Sequence, residues 1–262
     1  MQWLCLGLQS HVMSYSENGI ILYIRGPGGC FFVCLILVLN KSYVEKVRKG
    51  GVSMKVIVIG ANGDVGEHVI RKLAERKLEA LAVAANENQT EDLIKLGAAH
   101  AIVYDEQKLI PHLQASDAVI YLTGVNPKKH SSKTVMVDHQ SISDIIQLAQ
   151  KSGVRRFVMM SAVKAEESDT DPSRKIAAKD LPEDMLKAAN LVYTVIRIGQ
   201  LTDKPGSGKI TLSEKIHDRD AEIPREDAAE VLVESIDKEA IFNSTIEAAS
   251  GNTAIREALS QF

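Results

Sequence analysis

Short apolar runs alternate with amphipathic stretches along the chain from Met54 onward. The runs are continuous and rich in β-branched residues, which is typical of strands covered on both faces of a parallel sheet. Between them apolar residues recur at helical spacing, as Val69, Ile70 and Leu73 do. The alternation predicts an α/β fold, a doubly wound parallel sheet with right-handed crossovers. Strands are predicted at 56–59, 79–84, 101–104, 118–122, 156–160 and 193–196, with helices after residue 66 and at 90–96, 134–151 and 182–189.

The pattern becomes shorter and more irregular after residue 200. It predicts strands at 209–212 and 245–248, a helix at 225–236 opened by Pro224, and a final helix at 254–259. No internal repeat or interdomain linker interrupts residues 54–262. We therefore expect one Rossmann domain with a small C-terminal cap on the substrate side.

The first predicted strand ends in a glycine turn, Gly60-Ala-Asn-Gly63-Asp-Val-Gly66. Gly60 would let the chain turn, and Gly66 would let the following helix pack close to the strand. Gly63 has no Cβ, so the backbone there could approach a pyrophosphate at the positive end of a helix starting near Asp64. The spacing departs from Gly-x-Gly-x-x-Gly, and glycines alone are weak evidence. Their place between a strand and a helix favours a dinucleotide site over a purely structural turn.

The charge and the cysteines narrow the class of protein. The 262 residues carry a formal net charge of −3 and a near-average composition, which indicates a soluble globular protein without a nucleic-acid-binding surface. All three cysteines precede Met54, so the globular part offers neither disulfide nor thiolate chemistry. We expect a cytoplasmic location.

Residues 1–53 differ from the rest in charge as well as in cysteine content. Their two apolar runs, 20–24 and 31–39, are each too short for a bilayer, which needs about 20 apolar residues, and no signal-peptide pattern accompanies them. A membrane-associating hairpin is one alternative. Our preferred hypothesis is a non-native or disordered extension, with Met54 as the true start. Residues 48–54 can be encoded by AGG AAA GGA GGT GTN TCN ATG, which carries a purine-rich ribosome-binding sequence before the ATG.

Four stretches together resemble the atypical short-chain dehydrogenase/reductase family. They are the glycine turn, Leu122-Thr-Gly, Phe157-Val-Met-Met-Ser161-Ala and Tyr193-Thr-Val-Ile-Arg-Ile-Gly-Gln-Leu201. The nearest resemblance is to NAD(P)-binding proteins of the NmrA-like or epimerase-like type. It covers residues 54–262, including the helix start Ile223-Pro-Arg-Glu-Asp-Ala-Ala, and nothing before Met54.

The resemblance implies a set of site residues. Those expected to bind the cofactor are Gly60, Asn62, Gly63, Asp64, Val65 and Gly66 at the pyrophosphate, Asn86 and Asp105 at the adenosine, and Leu122, Thr123, Gly124 and Lys179 at the ribose and nicotinamide. Ser161 and Lys179 are the expected catalytic residues, with Ser161 beside the substrate carbonyl. No metal site is expected, because the histidines form no ligand pattern.

The usual tyrosine proton donor is missing. The family pattern is Tyr-x-x-x-Lys, but the residue four before Lys179 is Lys175. A second Tyr-x-x-x-Lys, at Tyr104, follows the third strand and should lie far from Ser161. Tyr121 falls inside a predicted strand and should belong to the core. Water or another side chain would then supply the proton.

The cofactor is expected to be NADP or NAD. The resemblance alone puts NADP ahead, whereas Ala85 stands where relatives often have the arginine that accommodates a 2′-phosphate. Glu87 could serve the ribose instead, although a solvated helix-start acid explains it equally. The turn Pro205-Gly-Ser-Gly-Lys209 lacks the earlier glycine and the Ser/Thr of a phosphate loop, and is predicted to be a flexible turn.

Two functions fit these observations. The first is an NAD(P)-dependent oxidoreductase or epimerase-like enzyme acting on a small carbonyl or sugar-like substrate. The second is a non-catalytic NAD(P)-binding sensor or regulatory protein, which the missing tyrosine favours. Both imply a small-molecule ligand, no nucleic acid and no stable membrane insertion, and leave the oligomeric state open.

Overall fold

A computed structural model of the protein describes residues 11–16, 19–25, 31–34, 53–122, 139–162, 182–216, 218 and 220–262. The chain divides into two compact units, residues 1–53 and 54–262. The described part of the first unit is a three-stranded antiparallel sheet of β1 (His11–Ser16), β2 (Gly19–Arg25) and β3 (Phe31–Cys34), with β2 in the middle.

The second unit alternates strands and helices as the hydrophobic pattern predicts. Its strands are β4 (Lys55–Ile59), β5 (Glu79–Ala84), β6 (His100–Val103), β7 (Ala118–Leu122), β8 (Arg156–Ala162), β9 (Val192–Ile198), β10 (Gln200–Thr202), β11 (Lys209–Ser213), β12 (Glu222–Pro224), β13 (Ser244–Ser250) and β14 (Thr253–Ala254). Its α-helices are α1 (Asp64–Glu75), α2 (Thr90–Lys95), α3 (Glu106–Gln114), α4 (His139–Lys151), α5 (Pro182–Ala188), α6 (Arg225–Glu234) and α7 (Ile255–Gln261). Short 3-10 turns lie at Glu87–Gln89, Ser235–Asp237 and Glu239–Ile241.

Nine strands form one sheet in the order β14-β11-β13-β9-β8-β7-β4-β5-β6. The seven strands from β13 to β6 run parallel, and β11 and β14 are antiparallel to their neighbours. The strand order reverses between β4 and β7, which is the switch point where doubly wound folds bind ligands at the carboxyl edge. The predicted Rossmann-type fold is confirmed.

Two apolar layers cover the central sheet. One face packs against α1, α6 and α7 through side chains such as Ile70 and Leu232, and the other against α3, α4 and α5 through side chains such as Leu109 and Leu186. Strands between these layers are apolar throughout; all five residues of β7 are buried. The continuous apolar runs therefore have the two-sided burial that the sequence predicts.

The C-terminal elements divide between two sheets. β10 and β12 form a separate parallel pair beside the carboxyl end of β9, where the cap is predicted. β11, β13 and β14 instead extend the central sheet. The strands predicted at 209–212 and 245–248 are thus confirmed as strands and belong to the main sheet.

No helix is predicted from the sequence where α3 forms, and α3 contains Pro111 in its interior. Proline lacks the N–H that would bond one turn back, and it usually marks a break. Here Leu109 and Leu113, one turn apart, are both fully buried, and the Asp105 carboxylate accepts the Lys108 N–H at 3.0 Å at the helix start. Tertiary burial and the cap outweigh the lost hydrogen bond. The helix predicted at 134–151 is described from His139, and its first residues lie outside the described ranges.

Candidate cofactor and active site

The glycine turn connects β4 to α1 at the switch point of the sheet. Gly60 has a φ of +83°, and a Cβ there would lie 2.9 Å from the Leu122 carbonyl oxygen. A Cβ on Gly66 would lie 2.5 Å from the Ala61 carbonyl oxygen and 2.6 Å from that of Gly60. All three distances are shorter than those that real Cβ atoms adopt. Gly60 and Gly66 are therefore required by the protein's own packing.

Gly63 has no such internal requirement. Its φ of −80° is open to any residue, and among the residues that the structure describes a Cβ there would meet only the Gly60 carbonyl oxygen, at an ordinary 3.5 Å. Gly63 is the N-cap of α1, and the first i to i−4 hydrogen bond of the helix runs from the Glu67 N–H to the Gly63 oxygen at 3.0 Å. Backbone N–H groups in a first helical turn lack such partners and bind phosphate oxygens. A backbone open at Gly63 fits a pyrophosphate.

The other expected site residues that the structure describes near Gly63 offer backbone atoms or, at Asn62, a polar side chain. The side chain of Val65 is buried, so only its backbone could face a phosphate. Asn62 is half-buried in the turn. Leu122 ends β7 with its carbonyl against Gly60, on the side where the ribose and nicotinamide are expected. Thr123 and Gly124 lie outside the described residues.

Asp64 makes an ion pair across two helices. Its Oδ2 lies 3.5 Å from Nε of Arg225, the first residue of α6, and the Arg225 Nη1 lies 2.7 Å from Oδ1 of Asp203. The side chains of Asp64 and Arg225 are 20% and 17% exposed, whereas that of Asp203 is 93% exposed. This pair ties the start of α6 to the start of α1.

The two expected adenosine residues follow β5 and β6 at the same edge. Asn86 is exposed and precedes a short 3-10 turn, and its side chain makes no capping hydrogen bond there. Asp105 is exposed, and its Oδ1 accepts the Lys108 N–H at the start of α3. This capping bond is also what a turn residue at the surface makes without any ligand. The role of both residues toward adenosine stays a prediction.

Ser161 lies near the carboxyl end of β8, half-buried, beside a row of charged residues. It is in register with Arg197 on β9, which is in register with Glu247 on β13, so all three side chains lie on one face of the sheet. Glu183, in the first turn of α5, completes the group. The row places a guanidinium and two carboxylates next to the expected catalytic serine.

The charged row is buried and internally paired. Arg197 donates from Nε and Nη2 to the two carboxylate oxygens of Glu183 at 3.2 and 2.7 Å. Its Nη1 lies 3.9 Å from Oε1 of Glu247, whose Oε2 accepts the Ile216 N–H at 2.6 Å. The three side chains are 11%, 10% and 3% exposed. The group joins α5, β9, β13 and the segment after β11 around the carboxyl edge.

No tyrosine from Met54 onward replaces the missing proton donor within the part of the chain that the structure describes. Tyr121 is fully buried against Phe157, with ring centroids 6.3 Å apart, and burial raises the pKa of its hydroxyl. Tyr104 follows β6, four strands from β8, which is roughly 19 Å at sheet spacing. Tyr193 is at the amino end of β9, whereas Ser161 is near the carboxyl end of β8, so the two lie at opposite edges of the sheet. The core position of Tyr121 and the remoteness of Tyr104 are confirmed; Lys175 and Lys179 lie outside the described residues.

The turn at 205–209 binds an internal carboxylate. The N–H groups of Ser207 and Gly208 both donate to Asp227 at 2.9 Å, and the Gly206 N–H donates to Glu226 at 3.3 Å. Asp227 is 1% exposed. The Asp227 carboxylate accepts the N–H donors that a bound anion would use, which agrees with the prediction that this is no phosphate loop. Three backbone donors hold the turn to α6, whereas the sequence predicts a flexible turn.

Sequence reasoning assigned no role to Arg197, Glu183, Glu247 or Arg225. One signal was present, since Arg197 and Glu247 are each the single charged residue of their strand, and charged residues are rarely buried unless paired. The partners could not be named, because Glu183 is 14 residues and Glu247 50 residues away. Among the described residues, no helix is both long and apolar enough to cross a membrane.

The sequence and fold match known nucleotide-binding proteins. A family model described as NAD(P)H-binding matches residues 60–239. The uncharacterized sugar epimerase YhfK of Bacillus subtilis (strain 168) is 26% identical over 213 residues, which cover 79% of this chain and 99% of that protein. A solved structure from Bacillus halodurans, described as an NAD-dependent epimerase/dehydratase, is 31% identical with a TM-score of 0.70, covering 80% of this chain and 100% of that one.

A more distant structure holds a cofactor. A short-chain dehydrogenase/reductase from Veillonella parvula, solved in complex with NADP, has a TM-score of 0.60 at 15% identity, covering 78% of this chain and 97% of that one. At this identity the likeness concerns the fold. The matched family region includes the glycine turn, Ser161, Arg197 and Arg225.

Proposed function

Because the chain belongs to the NAD(P)H-binding family, we propose that it is an NAD(P)-dependent oxidoreductase or epimerase-like enzyme acting on a small carbonyl or sugar-like substrate. The observation that supports the cofactor site most strongly is Gly63, a glycine at the switch point of the sheet that packing among the described residues does not require. A ligand approaching the backbone at the start of α1 supplies the missing reason. The absence of cysteine after Met54 supports a cytoplasmic location.

The bound nicotinamide would supply or accept a hydride. Ser161, near the carboxyl end of β8, would donate a hydrogen bond to the substrate oxygen and orient it. Lys179 would hold the ribose, as the family resemblance implies. The buried row of Arg197, Glu183 and Glu247 would hold the surrounding elements together, because all three charges are already paired with one another or with backbone.

The alternative is a nucleotide-binding sensor without hydride transfer. Lys175 stands where the family has its tyrosine, and the described tyrosines from Met54 onward are buried, distant or at the other sheet edge. A lysine there removes the group whose phenolate would act as base. The cofactor pocket would then report nucleotide binding by a change in conformation or partner.

Fluorescence titration of the full-length protein with NADH and NADPH tests the cofactor site. We expect saturable binding of at least one, and their relative affinity decides between NAD and NADP. Failure of both to bind would refute the enzyme and the sensor together.

A panel of small carbonyl and sugar-like substrates then separates the two functions. Wild type and Lys175→Tyr are compared for cofactor oxidation under identical conditions. Turnover by wild type supports the enzyme. Turnover by Lys175→Tyr alone supports the sensor, because the rest of the machinery would then be intact and only the proton donor lost.

A further inference from the structure

Arg225 lies between the cofactor turn and the substrate-side strand pair. It is the first residue of α6 and follows Pro224, the last residue of β12. Its guanidinium contacts Asp64 at 3.5 Å on one side and Asp203, which follows β10, at 2.7 Å on the other. With only 17% of its side chain exposed, Arg225 is held between the start of α1 and the end of β10 by these two ion pairs.

Asp64 creates an electrostatic conflict for a dinucleotide. It is the first residue of α1, directly after Gly63, so its carboxylate lies at the positive end of the helix. A pyrophosphate that approaches Gly63 would occupy the same region. Two anions close together in a partly buried site repel each other strongly, unless a cation compensates one of them.

We propose that Arg225 keeps the pyrophosphate site favourable to anions by neutralising the Asp64 carboxylate. Arg225 is thus a positioning residue for cofactor binding that acts through Asp64. This inference rests on the proposed function, because it presumes a dinucleotide at the glycine turn. It adds a residue 165 positions from Gly60 to that site and explains how an acidic residue is tolerated inside the turn.

Asp203 provides a matched control. It contacts the same guanidinium at a shorter distance, but its side chain is 93% exposed. Exposed ion pairs are screened by water and salt and contribute little. Removing the Asp203 charge should therefore leave the interaction between Arg225 and Asp64 at the start of α1 unchanged.

The test is a double-mutant cycle read by the dissociation constants of NADH and NADPH. We expect Arg225→Gln to weaken both by about ten-fold, because both dinucleotides share the pyrophosphate. Asp64→Asn alone should bind both dinucleotides more tightly than wild type, because the Arg225 charge then faces the pyrophosphate without a competing carboxylate. The double variant Arg225→Gln/Asp64→Asn should return to within about three-fold of wild type, and Asp203→Asn should match wild type. High salt should reduce the effect of Arg225→Gln.

Two controls separate charge from structure. Arg225→Lys keeps the charge and should bind within about three-fold of wild type, and thermal unfolding of each variant without cofactor reports on folding. The inference is overturned if Arg225→Gln binds as wild type, if the double variant stays as weak as Arg225→Gln, or if Arg225→Lys is as weak. A wild-type protein that binds neither dinucleotide refutes the proposed function itself. Wild-type binding with the same dissociation constants in all variants of the cycle refutes only the role of Arg225.

Discussion

Substituting alanine at Gly63 and at Gly66 should separate the two roles of glycine in the turn. At Gly63 the added Cβ lies 3.5 Å from the nearest atom of the described residues, the Gly60 oxygen, and the φ is one that alanine adopts readily. Loss of a glycine N-cap costs about 0.5 to 1 kcal/mol. The reduced freedom of the unfolded chain offsets about 0.4 to 1 kcal/mol of that. We therefore expect the free energy of unfolding of Gly63→Ala to stay within about 0.5 kcal/mol of wild type.

At Gly66 the Cβ would lie 2.5 Å from the Ala61 oxygen and 2.6 Å from the Gly60 oxygen, where ordinary contact begins at 3.4 Å. Both neighbours are backbone atoms and cannot rotate away. Overpacking of this kind costs about 1 to 3 kcal/mol. Gly66→Ala should therefore be clearly destabilised.

The assays are urea unfolding for stability and NADH or NADPH titration for binding. Gly63→Ala should fold like wild type and bind at least ten-fold more weakly, because a methyl group blocks the approach of phosphate to the backbone. Gly66→Ala should show the larger loss of stability of the two variants in urea. If Gly63→Ala binds both dinucleotides as wild type does, the reasoning that a ligand explains this glycine is refuted.

Three further predictions concern stability and the start of the chain. Arg197→Gln leaves two buried carboxylates without their cation and should lower the free energy of unfolding by about 3 to 5 kcal/mol, measured in urea at neutral pH; an unchanged midpoint would contradict this. The hydrogen bond from Lys72 lowers the pKa of the Glu226 carboxyl, and its effect is larger than the opposite effect of partial burial. The pair therefore stabilises the fold above the ordinary carboxylate pKa of 4.5, and this stabilisation is lost as the pH falls below 4.5. Because Glu226 is 43% exposed, Glu226→Gln should cost less than about 1 kcal/mol at pH 7 and less still as the pH falls below 4.5, and a difference that grows toward low pH would refute the sign. The intact mass of the protein from its native source should match a chain starting at Met54, and a mass that includes residues 1–53 would refute our hypothesis about them.

The sequence by itself determined eight of the nine strands of the central sheet, most helices and the glycine turn. β5 and β7 have the predicted bounds, and the positive φ of Gly60 is the conformation that its place after β4 requires. These features are encoded locally, since a continuous apolar run, a helical repeat or a glycine acts on its own few residues. The family resemblance drawn from short motifs is confirmed for the same reason. The expected site residues remain predictions, several of them outside the described part of the chain.

Only the tertiary structure decided which charges meet. Arg197 pairs with Glu183 and Glu247, and Arg225 with Asp64, because α5, α6 and β13 converge on one edge of the sheet. Tertiary burial also decided that α3 forms despite Pro111 and that a glycine-rich turn binds an aspartate of its own chain. Contacts between residues 14 to 161 positions apart depend on how whole elements pack, and a linear pattern carries no direct record of that packing.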